Sequence, residues 1–90
     1  MIITIEEARD TLRIDGTDLD PIIIPLVEAI PLYLKTTTGE FWEECNHPLA
    51  KTTAKFILQL WFEPRGSESE RLKNIIEGLL TVLTAEARKG

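Results

Sequence analysis

The sequence predicts an all-α fold, a small bundle of four helices, and three observations carry that prediction. Apolar residues recur at helical spacing in four stretches, Gly- and Pro-based turn signals separate those stretches, and Ser/Thr-x-x-Glu boxes stand where two of them begin. With 90 residues, 43% hydrophobic and 28% charged, the chain is long enough for one core and too apolar for disorder, so a single domain over 1–90 is expected. A core of this size leaves a thin stability margin, which a partner surface would widen.

The first segment opens on Thr4-Ile5-Glu6-Glu7, a capping box in which the Thr4 hydroxyl and the Glu7 carboxylate each satisfy a backbone N–H. Ile5, Ala8 and Leu12 then share one face, and Asp15-Gly16 supplies the turn that follows. The second segment, about 18–37, places Leu19, Ile22, Ile23, Leu26, Val27, Ile30, Tyr33 and Leu34 on one helical stripe. Pro21 fits the first turn, whereas Pro25 and Pro31 each remove an interior hydrogen bond and bend the helix; Pro25 lies nearly opposite the stripe, so the bend is convex toward solvent. Gly39 is the left-handed cap.

The third segment runs from Pro48 to about Glu63, capped by Asn46 or His47. Its polar residues Lys51, Lys55, Gln59 and Glu63 repeat every four positions as one narrow solvated strip. Phe56, Ile57, Leu58, Leu60, Trp61 and Phe62 crowd the rest, so this helix is expected at the centre. Pro64-Arg65-Gly66 breaks the chain, and Ser67-Glu68-Ser69-Glu70 offers a second capping box for a helix over about 68–88. Leu72, Ile75, Ile76, Leu79, Leu83 and Ala87 form its inward stripe. Leu80 and Val82 lie off that line, either as the flank of a wide core face or as a second contact.

Charge and cysteine content narrow the function classes. Net charge is −5, the wrong sign for gripping nucleic acid through its phosphates. The charge is uneven: residues 1–46 carry ten acids against three bases, a balance of −7, and residues 47–90 come to +2. One cysteine excludes an internal disulfide and fits a reducing cytoplasm; the N-terminus has no signal-peptide pattern, and no apolar run is long enough to span a membrane. Cys45 and His47 stand beside Glu43 and Glu44, but one Cys and one His fall short of a metal set or a nucleophile, base and orienting group. No enzymatic activity and no cofactor or metal are therefore expected.

Six residues are candidates for a subunit or partner interface. Of Trp42, Trp61 and Phe62, the loop residue Trp42 is the one expected to be partly exposed, although core burial is the commoner fate of such rings. Glu43 and Glu44 bring acidity to the same loop. Arg65 follows the central helix directly and either bonds its last carbonyls or pairs with an acid of another subunit. Leu80 and Val82 complete the set. Loops 39–47 and 63–68 are the segments expected to reorder on assembly.

The order and spacing of these motifs resemble the head-tail connector, or adaptor, proteins of tailed bacteriophages, whose members often carry the label DNA packaging protein. The resemblance runs from about residue 2 to residue 83. It rests on Ile3-Thr4-Ile5-Glu6-Glu7-Ala8 leading to Leu12-Arg13-Ile14-Asp15, on a long amphipathic helix closing at Thr38-Gly39, on Pro48-Leu49-Ala50, and on Leu60-Trp61-Phe62-Glu63-Pro64-Arg65. Phe62 stands where a Tyr is commoner in the family, and Pro25 and Pro31 interrupt a helix that is usually unbroken. The resemblance implies a structural head-completion protein of the virion neck, encoded by a phage or prophage and assembled in the host cytoplasm. It implies a homo-oligomeric ring of about twelve copies, built on heterologous contacts between unlike surfaces. That ring would sit beneath the portal protein, receive a tail or stopper protein, and extend a channel through which DNA passes without sequence-specific binding. Opposite-sign halves suit such subunit contacts, and acids lining a channel would repel passing phosphates. The alternative is a small acidic helical adaptor or regulatory module that binds a single protein partner.

Overall fold

The computed structural model describes residues 2–42 and 47–89. Four helices follow one another, α1 (Ile5–Leu12), α2 (Asp20–Thr38), α3 (Pro48–Phe62) and α4 (Ser69–Lys89), with no strand among the described residues.

The first capping box forms as the sequence dictates. Thr4 Oγ1 accepts from the Glu7 N–H at 3.0 Å, and Glu7 Oε1 accepts from the Thr4 N–H at 2.9 Å. Ile3, just ahead of the box, is buried with Ala8, so the chain enters α1 pinned from both sides of its cap. The helix ends at Arg13, which adopts a left-handed conformation at φ 58° and ψ 44° and lets Ile14 N–H reach back to the Arg9 carbonyl at 2.9 Å. Gly16 takes φ +82°, the positive value the Asp15-Gly16 turn requires.

α2 runs continuously through both interior prolines. Each lacks the N–H that would serve the carbonyl four residues earlier, and Pro25 lies on the exposed side of the helix. Ile23, Val27, Ile30 and Leu34 are buried, and Gly39 closes the helix at φ +89° with its N–H on the Lys35 carbonyl. Ile22 departs from the expected stripe: it is 57% exposed. Three successive isoleucines, 22 to 24, cannot all face inward, and α2 turns Ile23 to the core.

α3 packs against each of the other helices, as its all-round apolarity predicts. The His47 ring caps it, Nδ1 accepting from Leu49 N–H at 3.2 Å. Ala50, Ala54, Ile57 and Leu58 are buried between the neighbours, and Thr53 is buried with its hydroxyl donating to the Leu49 carbonyl at 2.7 Å. Trp61 meets Tyr33 of α2 edge-on, ring centres 5.3 Å apart. Lys51, read from the sequence as merely solvated, instead reaches across to Glu7 of α1 at 3.0 Å. Arg9 joins α1 to α2 through a two-pronged pair with Asp20, Nε to Oδ1 at 2.9 Å.

The second capping box does not form. α4 begins at Ser69 and the Glu68 carbonyl accepts from Leu72 N–H, so Glu68 occupies the cap and Ser67 stands one position too early. Two tight turns, Gly66 N–H to Glu63 O and Ser69 N–H to Gly66 O, use up the residues between. Ile76 and Leu83 are the buried anchors of α4.

Candidate interaction surfaces

Among the described residues, two helix faces combine exposure with little charge, one on α2 and one on α4. On α2, Ile22, Pro25, Ala29 and Leu32 follow at steps of three, four and three and share one side. All four are exposed, Leu32 at 63%, and none carries charge. The exposure of Ile22 and Leu32 is a property of the chain's phase, not of a loose core, because Ile23 and Ile30 beside them are fully buried. Acids approach this face at its N-terminal end, where Asp15 and Asp18 are exposed.

On α4, Asn74, Gly78, Thr81, Val82 and Ala85 form an exposed strip of small side chains. Gly78 is the unusual member, since a Cβ added there would meet nothing within 4 Å. Mid-helix glycine costs about 1 kcal/mol against alanine, and no contact within the chain accounts for it. Beside this strip lies a shallow groove of about 390 Å³ between α4 and the end of α2, lined by Thr37, Leu80, Thr81, Thr84, Ala85 and Arg88. Arg71 and Lys73 stand exposed near the start of α4.

The structure separates the six candidates. Val82 is 46% exposed and belongs to the α4 strip. Leu80 packs half-buried against the core and forms one wall of the groove, so both readings of it apply in part. Arg65 is exposed in the turn after α3 and, among the described residues, bonds none of that helix's carbonyls, which leaves its guanidinium open to an external acid. Glu43 and Glu44 lie outside the described residues, as does the Cys45 part of the Cys45–His47 constellation. Trp42 corrects an expectation: it is buried, 5% exposed, with Nε1 donating to Thr38 Oγ1 at 2.9 Å and its edge set against His47. A loop position does not expose an indole when the end of the preceding helix offers a hydroxyl acceptor and an apolar seat.

A second cleft of about 360 Å³ opens between the end of α1 and the α3–α4 turn, where Arg13 faces Glu63, Glu68, Ser67 and Ser69. It holds no histidine or cysteine, and among the described residues no group of three or more His, Cys, Asp or Glu is placed to hold a metal ion. His47 commits Nδ1 to its helix cap. No described helix is long and apolar enough to cross a membrane.

The sequence pattern foretold surplus apolar surface but put it on α4. The larger share is on α2, where the signal was an excess: with Pro21, Pro25, Ala29 and Leu32 outside the expected core stripe, α2 is apolar around too much of its circumference to bury it all. No family model, no curated protein and no solved structure matches this chain.

Proposed function

We propose that this chain is a structural assembly protein of a tailed bacteriophage, a head-tail connector whose copies form a ring below the portal and extend the DNA channel toward the tail. One observation carries the reading: the folded chain leaves two unlike helix faces uncovered, an apolar one on α2, flanked by Glu28, and a small-residue one on α4. A cyclic assembly needs two different surfaces on each copy, because each subunit meets its neighbours through unlike patches. The motif order from Ile3 to Arg65 supports the same reading, as does an acidic surface that DNA would slide past. Arg65, Glu43 and Glu44 are the charged candidates for contact with the portal or the next subunit.

The test is mass measurement and electron microscopy of the purified chain, alone and mixed with a phage portal protein. A closed ring in either sample supports the connector reading. A monomer that ignores the portal but binds one other protein supports the single-partner adaptor instead.

A further inference from the structure

We propose that α1, with residues 2–4 ahead of it, is a strap that opens and closes as a unit on a three-helix body formed by α2, α3 and α4. This device belongs to the single subunit and does not depend on the assembly reading above.

Topology separates the strap from the body. Each of α2, α3 and α4 packs against the other two, so their shared core closes without a fourth element. α1 packs against α2 and α3 but not against α4, and a cleft of about 360 Å³ lies between its last turn and the start of α4. Among the described residues a single connection, 13–19, joins α1 to the body. That connection carries Arg13 at φ 58°, Gly16 at φ +82° and an exposed run from Asp15 to Asp18, so nothing in it has to leave a core for the strap to swing.

The strap is lightly held. Its buried residues are Ile2, Ile3 and Ala8, and the body keeps Ile23, Ile30, Leu34, Ile57, Leu58 and Leu83 when they leave. Two charged ties add to that hold. The Glu7 carboxylate accepts the Thr4 N–H at 2.9 Å and the Lys51 ammonium of α3 at 3.0 Å, so one side chain both caps α1 and fastens it. Arg9 makes the second tie, to Asp20 at the start of α2. An eight-residue helix does not stand alone in water, so α1 melts as it lifts. Segments with few buried contacts and solvent-accessible ties open at a lower free energy than the core around them. Opening bares the seat on α2 and α3 that Ile2, Ile3 and Ala8 fill, with Lys51 and Asp20 at its edges. A partner reaches that seat only by displacing the strap.

Native-state hydrogen exchange of the full chain tests this, in urea well below the unfolding transition. The Ala8 and Ile14 amides, bonded to the Thr4 and Arg9 carbonyls, should exchange through an opening with a smaller urea dependence than that of the Ile57 and Leu58 amides. Ile76→Val weakens packing that the open form retains, because α4 does not touch α1. It should speed exchange at Ile57 and Leu58 by roughly two- to tenfold and leave Ala8 and Ile14 unchanged. Lys51→Met should speed exchange at Ala8 and Ile14 by roughly two- to fivefold, the worth of one partly exposed ion pair. Lys55→Met, the same loss of charge one turn further along α3, should leave those two amides alone. A single urea dependence shared by α1 and α3, an equal effect of Ile76→Val on both, or no effect of Lys51→Met on α1 overturns the proposal.

Discussion

The indole of Trp42 donates to the hydroxyl of Thr38 at 2.9 Å, and that hydroxyl donates in turn to the Leu34 carbonyl at 2.6 Å, so the chain leaving α2 is fastened to the helix it has just left. Both side chains are buried. Removing the acceptor strands the indole N–H where water cannot reach it. Thr38→Val is expected to cost about 1–3 kcal/mol, and Trp42→Ala about 3–5 kcal/mol because a cavity is added. Urea unfolding followed by tryptophan fluorescence for the first variant, and by circular dichroism for the second, measures each.

Acid should weaken the fold through two carboxylates. The Thr4 N–H, with Lys51 next in effect, holds the Glu7 carboxyl below its ordinary value of 4.5. The Arg9 guanidinium holds Asp20 below its ordinary 3.8. A carboxylate whose folded value is depressed contributes stability that is complete above its unfolded value and is lost as pH falls through the folded one. The melting temperature is therefore expected to decline on this account below about pH 4.5. The double variant Glu7→Gln with Asp20→Asn should melt lower at pH 7 and show a flatter profile through that acidic range.

What the sequence made legible was local. Capping at Thr4, the left-handed Gly39 and the His47 cap all depend on residues within a few positions, and helix periodicity located all four helices to within about two residues at each end. Phase on α2 was not legible. Ile22, Ile23 and Ile24 are equivalent to a periodicity argument, and only the placement of α1, α3 and α4 around the helix decides that Ile23 goes in and Ile22 stays out. Trp42 failed for a related reason, since its acceptor is supplied by the tertiary path of the loop. At Ser67 a box of the right composition lost to a turn geometry that starts α4 one residue further along.

Gly78 separates stability from assembly. Its φ is not in the left-handed region and a methyl group would meet only open space. Gly78→Ala is thus expected to stabilise the isolated chain by about 0.5–1 kcal/mol. Thermal unfolding at low protein concentration reads this directly; a drop in melting temperature would show that the glycine has a use inside the subunit.

Neighbouring isoleucines on α2 should behave as opposites. Ile23 is fully buried and Ile22 is 57% exposed. Ile23→Ser removes core contacts and buries a hydroxyl, so a loss of several kcal/mol is expected, on the order of the 2–5 kcal/mol that large-to-small core changes cost. Leu32→Ser and Ile22→Ser remove only exposed surface and should move subunit stability by less than about 0.5 kcal/mol. If the outer face of α2 is a contact between copies, Leu32→Ser instead weakens association by about 2 kcal/mol, roughly thirtyfold in Kd. Sedimentation over a concentration series, set beside thermal melts of the same three variants, reads both quantities. A Leu32→Ser chain that melts normally and still assembles at the wild-type concentration would mean that the apolar strip faces water in the assembled particle, and the contact would have to be sought around Arg65.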